Sequence, residues 1–450
     1  MNKTTKLGGK LWLQIFLFGI VGQIAWVVEN MYFSAFAQNL FSDYEVFGNM
    51  YYIATTLMVI FSALTATLTT IFIGGLVDRI GKRKVFISFG YILWGVTIML
   101  FAAIPISFGM DKAVGVMVEL VIFDCIMTFF GSSAYDAAYN TWITDITDVT
   151  NRGGVDAILS LFPPIATVIA VFVAILTFDK GKDNPTMYQI FFLVLGVIPI
   201  IVGIISIFTL KDSANITKNA NSTYIKDTFY GFNFKVVKDN KMMYVVLCAL
   251  CLLGISQQVY MPYILNFFKE TLKFGDNYII PGIGLGAIAG IMTIASGILF
   301  DKFGRKRFYI PLVVINVLST LLVYLMSFMP ESAYVAVAII GCGLMLGSAL
   351  ALFASLMAAF QDYIPKGYEG RFQGVRMVFT VLLPMIFGPI ISLVIGFNSF
   401  DTNEITAPTF NIFLAATVVA VLAIIPLIFV RKDADNLRNT LLKEKQEAEK

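Results

Sequence analysis

The sequence predicts an all-α polytopic membrane protein of twelve transmembrane helices in two pseudosymmetric six-helix bundles. Three observations predict it. The 450 residues are 58% hydrophobic with a mean hydropathy of +0.81, and only 14% are charged, against about 25% in soluble domains. The apolar residues fall into runs of the length a bilayer requires, about 20 residues at 1.5 Å each. A basic stretch closing one such run, GGLVDRIGKRK at 74–84, is written again 223 positions later as GILFDKFGRKR at 297–307.

The first run, 11–39, follows the basic tail MNKTTKLGGK and reads as a retained first span, being too long for a signal-peptide core and lacking an A-x-A site. Spans 2 to 6 follow at 50–77, 85–106, 114–143, 155–178 and 189–210. A polar stretch of mixed charge, 211–241, then separates them from spans 7 to 12 at 242–268, 278–300, 308–329, 334–363, 372–397 and 408–430. The domain division is therefore a first bundle over 1–210, a cytoplasmic linker over 211–241, a second bundle over 242–430 and a cytoplasmic tail over 431–450. Of the 32 Lys and Arg, 26 fall on the side of the N-terminus, 5 on the other, and Arg376 within span 11. Positive charge stays inside, so both termini are expected in the cytoplasm, and short loops point to a cell (inner) membrane.

Several function classes are excluded. The chain has no His, which removes the commonest general base, and it carries no P-loop, HExxH or Gly-x-Ser-x-Gly motif. Cys248 and Cys251 are spaced C-x-x-C, but with neither a second pair nor a His a zinc site lacks ligands. No enzyme activity, cofactor, metal or nucleic-acid partner is expected.

The two basic stretches fall at equivalent places, after span 2 and after span 8, so the chain is a tandem repeat of six-helix units. WITDITDVTNRGG at 142–154 and FQDYIPKGYEGRFQG at 360–374 echo each other after spans 4 and 10, pairing Asp145 with Arg152 and Asp362 with Arg371. Each is followed by prolines, Pro163 and Pro164 in span 5 and Pro384 in span 11. Glycines permit a tight turn, the aspartates can face a helix N-terminus or the Arg of the next loop, and the basic cluster suits the anionic inner leaflet.

Gly74, Leu76, Asp78, Gly81 and Lys82, with Gly297, Leu299, Asp301, Gly304 and Arg305, resemble the loop 2-3 signature of the major facilitator superfamily and its second copy. The resemblance covers nearly the whole chain and implies that fold, with rocking-bundle alternating access. It implies a gating role for Asp78 and Asp301 in closing the cytoplasmic side, with Arg79, Gly81, Gly304 and Arg305 in the same loops and Arg152 and Arg371 in the next ones. More narrowly, GQIAWVVENMYFSAFAQNL at 22–40 resembles the first span of the sucrose transporters. YDAAYNTWITDIT at 135–147 and EGRFQGVR at 369–376 resemble the glycoside-pentoside-hexuronide:cation symporters. That resemblance places Asp136 on the family's span-4 aspartate, part of its sugar and cation region. The family's sodium-binding aspartates of spans 1 and 2 correspond here to Ile24, Ala66 and Thr70, so that sodium site does not carry over. The antiporter signature of span 5 is replaced by Leu161, Phe162, Pro163 and Pro164.

Charge inside the hydrocarbon costs at least ~2.5 kcal/mol, which singles out Glu29, Asp124 and Asp136. Counting along spans 1 and 4 puts Glu29 and Asp124 at similar depth, ~15 Å below the outer ends. Two buried carboxylates can share one proton; each also has a plain structural reading as a hydrogen-bonded core group. Asp136 is twelve residues beyond Asp124, about 120° around the helix, so the two are not expected to point squarely into one cavity.

Beside Asp136 stand Tyr139 and Asn140; span 1 places Gln23, Trp26 and Asn30 on one face, and span 7 holds Gln257 and Gln258. Amides that bond hydroxyls and a ring that packs on C–H faces suit a neutral sugar. Arg376 either snorkels to the interface or pairs with Asp136 or Asp362. The expected function is secondary active uptake of a sugar or glycoside with H+. Alternatives are Na+ as coupling ion, or proton-driven export of drugs or amphiphiles. The partners are the small-molecule substrate, the coupling ion and the lipid bilayer.

Overall fold

The computed structural model describes residues 7–41, 50–147, 155, 158–159, 161–177, 185–212, 230–275, 279–364, 369–397 and 408–430. Arg152 and the side chains of Asp78, Arg79, Asp301 and Arg371 lie outside the described residues. All regular structure among the described residues is helical.

Among the described residues, eleven helices are long and apolar enough to cross a membrane, and they coincide with eleven of the twelve expected spans. The fifth is represented by the helix Phe162–Thr177, with an apolar stretch Ile165–Ala174. Its prolines, Pro163 and Pro164, occupy the first turn, where a missing N–H costs no helical hydrogen bond. Spans 1 to 6 form one compact unit and spans 7 to 12 another. Large apolar residues such as Phe89, Ile122, Phe172, Ile291 and Ile298 stand exposed on the outer faces of the helices, as lipid contact requires.

In the first unit the interior is aromatic. Phe18, Tyr91, Tyr139 and Trp142 are buried together, and Phe33 stacks on Phe101 with ring centroids 4.1 Å apart. Spans 3 and 6 meet through Gly95 and Gly196 with their backbones nearly touching. In the second unit, Leu247, Leu250, Val313, Leu352, Phe360 and Phe372 form an aliphatic and aromatic core.

The repeated stretch has a physical explanation. Gly81 and Gly304 both adopt positive φ, 70° and 84°. Each donates its N–H back to the carbonyl four residues earlier, Gly81 to Val77 at 2.9 Å and Gly304 to Phe300 at 3.0 Å. This is the left-handed residue that terminates a helix, a conformation that favours glycine.

Four spans contain wide turns of π-helix: Ser132–Tyr139 in span 4, Phe267–Thr271 in span 7, Ala338–Cys342 in span 10 and Val378–Leu382 in span 11. Such turns insert one extra residue into the helical ladder. The one in span 4 contains Asp136. An inserted residue takes up about 100° of rotation, so the separation of about 120° from Asp124 that holds for a regular helix does not carry through this turn.

Candidate functional site: a carboxylate cluster and two loop latches

In the first unit, spans 1, 2 and 4 converge on Glu29. Its Oε1 accepts a short hydrogen bond from Ser62 Oγ and a longer one, 3.4 Å, from Thr128 Oγ1. Those two hydroxyls lie 3.2 Å apart. Glu29 Oε2 is buried without a hydrogen-bond partner among the described residues, and so is Asp124 Oδ1. Asp124 stands one helical turn before Thr128 and is only 1% exposed. It lies within electrostatic reach of Glu29. Two carboxylate oxygens are thus desolvated together without a compensating donor, an arrangement that protein alone leaves costly and that a proton or cation relieves.

Asp136 is half-buried and accepts from Ser132 Oγ at 2.9 Å within the wide turn. Its charge reaches Glu29, Tyr91 and Tyr135, so all three intramembrane carboxylates belong to one electrostatic neighbourhood. Tyr135 accepts from Gln23 Nε2 at 2.9 Å and stacks on Tyr139 at 5.0 Å. The close approach is possible because span 1 carries Gly22 there: a Cβ would lie 2.2 Å from the Tyr135 ring.

The remaining polar candidates divide. The Tyr139 hydroxyl donates to the Ile15 carbonyl at 2.8 Å, bracing span 4 against span 1. The Asn30 amide turns back to the Trp26 carbonyl at 2.7 Å. Trp26 is half-buried with its ring 5.1 Å from Trp94. Asn140 is exposed and donates to the Asp136 carbonyl at 3.3 Å. In the second unit Gln257 is half-buried, and Gln258, against Gly388, keeps a buried Oε1 without a partner among the described residues. Span 7 changes helix type just beyond them, at Met261–Tyr263, where Pro262 cannot donate to the ladder.

At the loop ends the structure adds Arg83, which sequence reasoning passed over, and gives Arg305 a partner. Arg83, 4% exposed, forms a 3.0 Å ion pair with Asp145 at the foot of span 4 and also donates to the Val77 carbonyl. Arg305 pairs with Asp362 at the foot of span 10 at 2.9 Å. Each unit therefore ties its basic loop to an aspartate two helices later in the chain. Among the described residues Arg83 is a partner of Asp145, reached across the left-handed turn at Gly81. Arg376, within span 11, accepts at its own carbonyl from Thr380 at 2.8 Å.

The sequence model of the Major Facilitator Superfamily matches residues 11–389. The chain belongs to that superfamily. Among curated proteins nothing matches. Among solved structures, the D-xylose-proton symporter is similar at a TM-score of 0.69 and 14% identity, covering 94% of this chain and 97% of that one. The xylose transporter XylE from E. coli is similar at 0.66 and 14%, covering 94% and 95%. The nucleoside transporter NupG is similar at 0.62 and 13%, covering 93% and 98%. At such identities the likeness carries the fold alone. Family and fold together make this superfamily member a multi-pass membrane protein of the bilayer, a secondary transporter of small molecules and not an enzyme.

Proposed function

We propose that this major facilitator protein is a proton-coupled importer of a sugar or glycoside, on the branch of the glycoside-pentoside-hexuronide:cation symporters and sucrose transporters. The observation that carries this reading is the Glu29–Asp124 pair, two buried carboxylates in mutual electrostatic reach with an unpartnered oxygen on each. A proton taken up there neutralises the cluster, and Asp136 passes the change to the substrate region beside Tyr135. Trp26, Gln257 and Gln258 are proposed to contact the sugar. A sugar-proton symporter on the same fold supports the combination. Alternating access then follows from a rule of charge: the loaded or the empty cluster permits reorientation, and the half-loaded one carries a desolvation penalty. We place both termini, the linker 211–241 and the tail 431–450 in the cytoplasm of the inner membrane on the Lys and Arg bias, with the loop latches at Arg83 and Arg305 on that side.

Sodium is the second reading, favoured by the Ser62 and Thr128 hydroxyls beside Glu29, since hydroxyl and carboxylate oxygens are ligands for hard cations. The test is external pH in a weakly buffered suspension of expressing cells, given mono- and disaccharides one at a time. Alkalinisation with one sugar, absent in Glu29→Gln and Asp136→Asn, is expected. Uptake that needs Na+ and leaves pH unchanged would replace H+ by Na+. A response surviving both substitutions would refute the carboxylate mechanism. Orientation is checked separately by impermeant thiol labelling of Lys112→Cys and Lys235→Cys in a cysteine-free background, where only the first is expected to react from outside.

A further inference from the structure

A groove of ≈ 710 Å³ opens on the second unit, outside the transport machinery, between the short helix Phe234–Asp239, the start of span 7 and the end of span 12. Its walls are apolar along their length, from Phe234 past Leu252 to Ile425 and Phe429, and among the described residues its charged lining is Lys238 and Lys241, both exposed. We propose that this groove binds one anionic phospholipid of the inner leaflet, its phosphate between Lys238 and Lys241 and an acyl chain along the face leading to Leu252.

Four features argue for that occupant. The volume lies within the range of ligand pockets. The charge is segregated: the two lysines stand at one end, and from Lys241 to Leu252 the helix descends about 16 Å at 1.5 Å per residue, the geometry of a headgroup above a chain. Lys235 is exposed on the same short helix, and Asp239 is that helix's one acidic residue, so the described residues of the mouth are net positive and complementary to a phosphodiester. Finally, the short helix is built as an interfacial element. Val236 enters the core, Tyr230 packs on Phe372 at 5.9 Å, and the Asn233 side chain caps the Lys235 N–H at 2.9 Å. Meanwhile Phe234, at 83% exposure, and Phe232, at 43%, are turned outward. Anchored inward, apolar outward and basic along its edge is the pattern of a segment lying in the headgroup region. The choice of leaflet rests on the orientation proposed above; the site itself does not.

Native mass spectrometry of the detergent-purified full chain, titrated with phosphatidylglycerol or with phosphatidylcholine of the same acyl chains, tests it. Two lysines at a headgroup predict a preference of roughly tenfold or more for phosphatidylglycerol. The preference should fall to near equality in Lys238→Gln/Lys241→Gln. Cys248→Trp, which fills the groove at an exposed lining position, should weaken both lipids. Equal affinity in the unmodified chain, a preference that survives the double lysine change, or a protein dimer that displaces the lipid would overturn the proposal. Detergent has no leaflets, so these outcomes stand whichever way the chain is oriented. External labelling of Lys235→Cys would refute the orientation alone.

Discussion

Replacing Gly95 by Ala tests the packing of span 3 on span 6, which frames the first unit. A Cβ at Gly95 would lie 2.4 Å from the Gly196 carbonyl oxygen and 3.0 Å from the Ile200 nitrogen. Ordinary carbon–oxygen contacts are about 3.3–3.6 Å, so the two helices must part by about 1 Å, and the obstacle is backbone that cannot rotate away. Overpacking of this kind costs about 1–3 kcal/mol, against a gain of about 0.8–1 kcal/mol for Ala over Gly in a helix. Gly115→Ala is the matched control, because nothing lies within 4 Å of its added carbon. All four tryptophans, Trp12, Trp26, Trp94 and Trp142, belong to the first unit, so intrinsic fluorescence during thermal unfolding in detergent reports on that unit. At about 2–4 °C per kcal/mol for a unit of this size, and with the Ala gain common to both variants, Gly95→Ala is expected to melt about 2–12 °C below Gly115→Ala. Equal melting temperatures would refute the close approach.

Three further outcomes are expected. Asp124→Asn, which removes a buried charge while keeping the shape, should abolish substrate-linked proton movement without lowering the melting temperature; retained coupling in the cell-suspension assay would remove Asp124 from the mechanism. Arg83→Ala should destabilise by about 3–5 kcal/mol, because it strands the partner of a buried pair. The exchange Arg83→Asp with Asp145→Arg should not rescue it, since an acceptor at position 83 cannot replace the second bond that Arg83 donates to the Val77 carbonyl beside that of Gly81; the exchange Arg305→Asp with Asp362→Arg, at a more exposed pair, should. Melting curves of these three variants, and of Arg305→Ala as the reference for the second exchange, decide this. Lys273 donates to Glu331 at 2.7 Å in full exposure, and that hydrogen bond holds its ammonium above the ordinary value of 10.5. A raised lysine value means the pair's stabilisation is complete below pH 10.5 and lost as pH rises through the folded value. Solvent screening keeps it small, so Lys273→Ala should leave the melting temperature unchanged at neutral pH, and a clear drop there would contradict the reasoning.

The fold was largely legible because bilayer thickness and the absence of water are severe constraints: they force runs of a set length, and those runs are the helices. The repeat was legible for a second reason, since a left-handed helix end selects glycine, and Gly81 and Gly304 stand at such ends. The electrostatic reach between Glu29 and Asp124 was anticipated by counting depth together with the family resemblance, which lets spans 1 and 4 line one cavity. What lay hidden was local. Ser62 and Thr128 are hydroxyls in apolar runs rich in others like them, and no sequence signal distinguishes the ones that face a carboxylate. Arg83 was hidden because its direction depends on the reversal of the chain at Gly81. The neighbourhood of Asp136 was hidden because a wide turn shifts the helical phase, and apolar sequence gives little indication of where a helix takes in an extra residue.

That extra residue has a consequence for tolerance to deletion. A helix crossing the bilayer ordinarily cannot lose a residue without rotating everything below the cut. Removing one residue between Ser132 and Tyr139 would relax the wide turn into an ordinary one and shorten the helix scarcely at all. Because the turn had already taken up the surplus residue, Asn140, Trp142 and Asp145 would keep their directions, and Asp145 would still face Arg83. The same deletion in the regular part of span 4 would swing all three about 100° together, and the loop would lose its tether although every side chain in the latch remained. The wide turn is thus a place where the first unit can give up a residue and keep its membrane interior aligned with the loop rim.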